Sequence, residues 1–136
     1  MNLVVFLGSE NGDDSAGYEC YKKAISRINA RMLFLGTDVF EILRKYENEK
    51  RVIVVDAFYG VDNIIHLKND EIFNIEARSE HAHYISPVEA IKILKEAGFS
   101  PEELHLIGIP AKSFDRVTYS EEMIEKAIEK IEELLK

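Results

Sequence analysis

The stretch LVVFLGSENGDDSAG, residues 3–17, joins an apolar run to a glycine-punctuated turn and then to the start of a helix. A turn of this kind after a first strand often binds a phosphate group. Here the turn also carries Glu10, Asp13 and Asp14, and these carboxylates would repel a phosphate at the low dielectric of a protein site. The stretch therefore predicts the strand–turn–helix unit of an α/β protein, with a turn that faces a cation or a positively charged partner.

Short apolar runs alternate with amphipathic stretches along the rest of the chain, as is typical of strands joined by crossover helices. Buried strands are predicted at 2–7, 32–35, 51–55 and 104–109, and a hairpin at 63–67 and 71–76 around the turn Lys68-Asn69-Asp70. Core-facing helix stripes are predicted at Tyr18, Tyr21, Ile25 and Ile28, and at Val39, Ile42, Leu43 and Tyr46. Two later helices are predicted to begin at Ser86-Pro87, ending near Gly98, and at Ser120. We expect one domain over residues 1–136, a three-layer α/β/α sandwich with a mostly parallel sheet and one hairpin or antiparallel strand.

The composition excludes several classes of partner. The chain has 136 residues with a net charge of -8, so we expect no nucleic-acid partner, which would require clustered lysine and arginine. Its one cysteine, Cys20, cannot form an internal disulfide, which favours a reducing compartment. The apolar runs are only of strand length, and Met1 leads directly into one of them without a basic segment. We therefore expect no signal peptide, no membrane insertion and a cytoplasmic location.

Acidic side chains and histidines follow several of the predicted strands. Asp13 and Asp14 follow the first strand, Asp56 ends the third, and His81 and His83 follow the hairpin. Because parallel strands deliver these loops to one edge of the sheet, the groups are expected to converge there. Two carboxylates and an imidazole are suitable ligands for a divalent transition metal.

Each of these residues also has a simpler interpretation. Asp13 and Asp14 would stabilise the start of a helix without any chemistry, and the two loop histidines would simply be solvated. For Asp56 a functional role is the favoured interpretation, because an unpaired carboxylate at the end of a buried apolar run is costly to desolvate. Other polar residues are given structural roles: His66 and His105 as strand-face residues, and Cys20 as a small buried residue of the first helix.

Four motifs in order along the chain give a more specific interpretation. Residues 12–17, GDDSAG, match the pattern G-D-D/E-x-x-G, and residues 54–57 read V-V-D-A. His83 then precedes Gly98 across a predicted helix, and the late segments 106–110, LIGIP, and 119–122, YSEE, follow. In this order and spacing the chain resembles the nickel-iron hydrogenase maturation endopeptidases.

The resemblance implies a metal-contacting and catalytic set of Asp14, Asp56 and His83. It implies that Asp13 orients the turn beside Gly12. His81 lies at a position that is often serine or threonine in the family, and it is an alternative metal ligand to His83. The implied substrate is a hydrogenase large-subunit precursor that loses a short C-terminal extension once nickel is loaded. The implied chemistry is peptide hydrolysis in which a divalent metal, nickel, polarises the carbonyl or the water. The metal would belong either to the protease or to the precursor.

A response-regulator receiver domain is the alternative that the sequence leaves open. Its acidic pair would be Asp13 and Asp14, its phosphoacceptor Asp56, and its lysine after the last strand Lys112. A receiver places the acidic pair directly at the strand end and alternates strand and helix regularly. Here a glycine loop intervenes, residues 63–76 are predicted to form a hairpin, and a receiver has no use for His83.

Overall fold

Strands and helices alternate along the part of the chain that the structure, a computed structural model, describes, namely residues 1–74 and 86–136. The strands are β1 Asn2–Phe6, β2 Arg31–Phe34, β3 Arg51–Tyr59, β4 Ile65–Lys68 and β5 Glu103–Ala111. The helices are α1 Ala16–Ala24, α2 Glu41–Lys45, α3 Asp70–Asn74, α4 Pro87–Glu96 and α5 Glu121–Leu134, with a 3-10 turn at Gly12–Ser15 before α1. Among these residues, no helix combines the length and apolar character needed to cross a membrane.

The strands form a five-stranded sheet in the order β2-β1-β3-β5-β4. The first four strands of that order are parallel to one another. The edge strand β4 pairs with β5 in the antiparallel direction, with Ile65 opposite Gly108. The prediction of a mostly parallel sheet with one antiparallel strand is confirmed.

Both faces of the sheet are covered, because alternate side chains of each buried strand enter two separate apolar clusters. On one face, Leu3, Val5, Val52 and Val54 pack with residues of α2, α3 and α4, such as Ile42, Ile72 and Leu94. On the other face, Val4, Phe6, Ile53 and Val55 pack with residues of α1 and α5, such as Cys20, Ala24, Ile124 and Ile128. This is the predicted α/β/α sandwich, and Cys20 is the small buried residue that was expected.

The second strand of the predicted hairpin is wrong, because the described part of 71–76 belongs to the helix α3. Asn69 ends β4 with a left-handed φ of 47°, which turns the chain away from the sheet. The Glu71 carboxylate then accepts a hydrogen bond of 2.9 Å from the backbone N–H of Lys68, and Ile72 is fully buried. Strand β4 therefore pairs with β5, far along the chain. The last two residues of the predicted strand lie outside the described residues.

The predicted core stripe of the first helix is also partly wrong. Tyr18 is 41% exposed and Ile25 is 57% exposed, whereas the buried positions of α1 include the small residues Ala16, Cys20 and Ala24. Helix α1 packs against both α5 and the sheet, so its inner face takes small side chains. Ile28 is buried and Tyr21 packs against the same cluster, so apolar size and spacing identified only part of the buried face.

An ion-pair network surrounds Glu103 at the start of β5. Its carboxylate accepts a hydrogen bond of 2.7 Å from Arg51 Nε and lies 3.3 Å from Lys68 Nζ and 3.1 Å from His105 Nε2. The ring of His105 is in turn hydrogen-bonded to that of His66, with 2.8 Å between the two nitrogens. Both histidines are strand-face residues, as predicted. These partners, Arg51 foremost, lower the pKa of Glu103 to about 2.

We expect the Glu103→Gln variant to lose stability near neutral pH and to approach the wild type in acid. A carboxyl whose folded pKa lies below its ordinary value of 4.5 adds stability above that value, and the contribution is lost as the pH falls from about 4.5 towards about 2. Urea unfolding at pH 7, 5, 4 and 3 measures the difference in unfolding free energy. The control is Glu102→Gln, whose side chain is 75% exposed and lies 3.8 Å from Lys50. A Glu103→Gln deficit that is unchanged down to pH 3 would contradict this account.

Candidate active site

The glycines of the acidic turn permit close backbone packing. A Cβ on Gly17 would lie 1.8 Å from the backbone oxygen of Leu7. A Cβ on Gly12, whose φ is +51°, would lie 2.5 Å from the backbone carbon of Phe114. The turn is therefore folded tightly between the end of β1 and the segment after β5, which buries the two aspartates that it carries.

Asp13 is fully buried, and its carboxylate accepts hydrogen bonds from the loop 112–118. Its Oδ2 accepts hydrogen bonds of 2.7 Å and 3.1 Å from the backbone N–H groups of Lys112 and Ser113. The backbone N–H and the hydroxyl of Thr118 also donate to it. Burial alone would raise the pKa of Asp13, but these hydrogen bonds, led by those from Thr118, outweigh burial and lower it. The structure thus joins Asp13 to a distant loop.

Asp14 and Asp56 face the same cleft at the carboxyl edge of the sheet. Asp14 follows β1 in the 3-10 turn and Asp56 lies in β3, and they are only 7% and 8% exposed. The cleft has a volume of about 190 Å³. The other residues that line it are Leu7, Gly8, Gly36, Thr37, Val39, Phe40, Ala90 and Phe114. The two acids that were predicted to converge are therefore close together in a largely apolar cleft.

The electrostatics of the cleft are dominated by these two carboxyl groups. Burial, and then the neighbouring charge of Asp14, raise the pKa of Asp56 well above its ordinary value. A hydrogen bond of 2.7 Å from the backbone N–H of Ala57 to Asp56 Oδ1 opposes this shift only in part. No lysine or arginine is among the described residues that line the cleft. A pair of buried acids in this setting attracts a cation.

The proposed imidazole ligand is not tested, because His81 and His83 lie outside the described residues. Within residues 1–74 and 86–136, no group of three or more histidine, cysteine, aspartate or glutamate side chains is arranged to hold a metal ion. The described part of the chain therefore supplies two carboxylates, Asp14 and Asp56, and a third ligand would have to come from elsewhere.

Three aromatic residues at the cleft were missed by sequence reasoning. Phe40 and Phe114 line it, and the ring of Tyr59 stacks on that of Phe114 with 4.8 Å between the centroids. Burial, followed by the charges of Asp14, Asp13 and Asp56, raises the pKa of Tyr59. Tyr59 ends β3 and Phe114 lies three residues beyond β5, so their position at the carboxyl edge was a usable signal.

The receiver-domain alternative conflicts with the topology. Receivers have the parallel strand order 2-1-3-4-5 of flavodoxin-like folds. Here the fourth strand in chain order is at the edge and runs antiparallel to the fifth. Fold and cleft instead define an α/β/α sandwich with a buried acidic pair at the carboxyl edge of the sheet.

Comparison with known proteins identifies the family. The model of the HycI hydrogenase maturation protease family matches residues 18–136. The chain is 31% identical over 129 residues to protein FrxA of Pyrococcus furiosus, covering 91% of this chain and 93% of that protein. Its structure is similar to that of the NiFe hydrogenase maturation protease HybD from Thermococcus kodakarensis, at 30% identity with a TM-score of 0.77 and 99% of each chain covered. It shares the fold of HybD from E. coli, at 24% identity with a TM-score of 0.73, covering 98% of this chain and 91% of that one. The chain belongs to the hydrogenase maturation protease family.

Proposed function

We propose that this protein is a metal-dependent endopeptidase that removes the C-terminal extension of a nickel-loaded NiFe hydrogenase large-subunit precursor. Membership of the protease family supports the reaction class. The similar structure from T. kodakarensis is named as a NiFe hydrogenase maturation protease, which supports the kind of substrate. The observation that carries the proposal is the pair of buried carboxyl groups, Asp14 and Asp56, in one cleft.

The donor set fits a divalent transition metal, for which nickel is the proposed ion. Asp14 and Asp56 offer carboxylate oxygens, and His83 is proposed to offer a ring nitrogen from outside the described residues. The ion is either resident in the protease or part of the substrate, as nickel in the precursor. When bound, it would polarise the scissile carbonyl or the attacking water.

The acidic pair also suits proton transfer. The Oδ1 atom of Asp56 accepts the Ala57 N–H, which leaves Oδ2 to carry a proton or a ligand bond. Because its pKa is raised, Asp56 holds a proton closer to neutral pH than an ordinary aspartate does. We assign to Asp56 the transfer of a proton from the attacking water to the leaving amine, and to Asp14 the orientation of that water.

The apolar walls complete the proposed mechanism. Leu7, Val39 and Ala90 line the cleft around the acids, which are only 7% and 8% exposed. Exclusion of water strengthens every electrostatic interaction within the cleft. A space of about 190 Å³ admits a short stretch of extended peptide rather than a folded domain, which suits a C-terminal tail.

The test is to incubate the protein with candidate large-subunit precursors, with and without nickel, and to follow the loss of a C-terminal peptide by mass spectrometry. We expect processing of one precursor only after nickel loading. The Asp14→Asn variant should abolish it while remaining folded, because the variant loses a charged oxygen donor in the cleft. Glu10→Gln, an exposed acid of the same turn, is the matched control and should process normally. Failure to process any precursor would contradict the proposed function. Normal processing by Asp14→Asn would show that Asp14 is not a catalytic residue.

A further inference from the structure

The loop 112–118 lies beside the cleft and is held against the acidic turn by hydrogen bonds to Asp13. It carries Phe114, which lines the cleft and stacks on Tyr59. Four donors from this loop reach the Asp13 carboxylate, two of them from Thr118. The backbone N–H of Asp13 also donates a hydrogen bond of 2.8 Å to the oxygen of Ser113.

These contacts do more than is needed to form the turn in which Asp13 lies. The groups that bind its carboxylate are 99 to 105 residues away in the sequence, so they define the position of the loop relative to the turn. Gly12 approaches the backbone of Phe114 so closely that no side chain fits between them. Since Asp14 is the next residue, the cleft acid and the loop that faces it are held by one short segment.

We propose that Asp13 is a positioning residue. Through Thr118 it holds the loop 112–118 in place, so that Phe114 packs against the substrate peptide beside the scissile bond. The inference rests on the proposed function, because it takes a peptide as the occupant of the cleft. The alternative role for Asp13 is fold stability alone. The two roles differ in one respect: a positioning residue acts on the substrate through Phe114, so its loss has no further effect on substrate binding once the Phe114 ring has been removed.

The experiment is a double-mutant cycle on precursor processing with Thr118→Val, Phe114→Ala and the double variant. Thr118→Val keeps the shape of the side chain and removes one donor to Asp13, whereas Thr118→Ser keeps the hydroxyl and serves as the control. We expect Thr118→Val to raise KM about tenfold with kcat changed by less than about twofold, as for lost substrate binding. We expect Phe114→Ala to raise KM at least about as much, and Thr118→Ser to process like the wild type. The double variant should have a KM within about twofold of that of Phe114→Ala alone, because Thr118 affects substrate binding only through the ring of Phe114.

Effects on KM that multiply in the double variant would overturn the proposal, as would an unchanged KM in Thr118→Val. Thermal unfolding of each variant separates a folding defect from a binding defect.

A second readout needs no substrate. The chain has no tryptophan, so Phe114→Trp places a single tryptophan on the loop, which is excited selectively at wavelengths that tyrosine does not absorb. Adding Thr118→Val should increase its quenching by acrylamide, and equal quenching would overturn the proposal even if no precursor is processed. Absence of processing by the wild type would count against the proposed function alone.

Discussion

Replacing Asp56 with asparagine should abolish precursor processing while making the protein more stable. The variant removes both a charged oxygen donor and the proton carrier of the cleft, and loss of acid–base catalysis alone costs about 10²- to 10⁴-fold. We therefore expect processing to fall by about 10³-fold or more, measured by single-turnover assay with the nickel-loaded precursor. Asp62→Asn removes a charge from an exposed position beyond the same strand and should leave processing unchanged.

The expected gain in stability follows from the burial of Asp56. Its folded pKa is raised above the ordinary value of 3.8, so its favourable contribution is complete below that value and is lost as the pH rises. At pH 7 the fold is therefore less stable than it would be with a neutral group at this position, and an amide of the same shape removes this cost. We expect Asp56→Asn to gain about 1–3 kcal/mol in unfolding free energy at pH 7 and to gain little near pH 4. A loss of stability at pH 7 would show that the carboxylate is needed to hold the cleft together.

Strands β1, β3 and β5 were predicted well, because residues that are buried on both faces of a sheet form continuous apolar runs. The strand predicted to be buried at 32–35 corresponds to β2, whose residues are only partly buried. Runs such as Val52 to Val55 are apolar on both faces, which in a sheet of this kind indicates cover by helices on each side. The starts of α4 and α5 were equally clear, because Ser86 and Ser120 each accept a hydrogen bond of 3.1 Å from the backbone N–H three residues later. These features depend on nearby residues only.

The errors arose where distant packing decides the structure. The alternation EIFNIE at 71–76 suits a strand, yet its first residues form a short helix, since burial of Ile72 is satisfied equally well there. In α1 the buried face consists of small residues, because α5 and the sheet both lie close to it. Neither neighbour can be read from the local sequence.

The features of the site also divide into those that local sequence predicts and those that depend on distant packing. Convergence of Asp14 and Asp56 followed from parallel strands alone. The attachment of Asp13 to the loop 112–118 could not be predicted, because it joins residues about a hundred positions apart. Phe40 and Phe114 follow no periodic pattern. Phe114 lies soon after a predicted strand, which is a signal, but only the strand order shows that Phe40 and Phe114 share the edge that carries the acids.

Replacing His83 with alanine should abolish processing and, where the ion is resident in the protease, tight metal binding, whereas His81→Ala should retain both. The two carboxylates of the cleft provide only oxygen donors, and a nitrogen donor shifts the preference towards nickel and similar transition metals. We expect His83→Ala to lower processing by about 10³-fold and to weaken binding of Ni²⁺ by at least about tenfold, measured by isothermal titration. His81→Ala should change either quantity by less than about threefold, because the resemblance assigns the ligand to His83.

The two histidine variants test the ligand assignment and the need for an imidazole separately. If His81→Ala loses activity and metal binding while His83→Ala retains them, the nitrogen donor is His81 and the spacing argument from the family is wrong for this chain. If both variants bind and process normally, the carboxylates act without an imidazole. Substitution of Co²⁺ distinguishes these cases spectroscopically, because its absorption in the visible range changes when a nitrogen ligand is replaced by water. Loss of this signal in His83→Ala alone, in a protein with unchanged thermal stability, would assign the third ligand independently of any precursor.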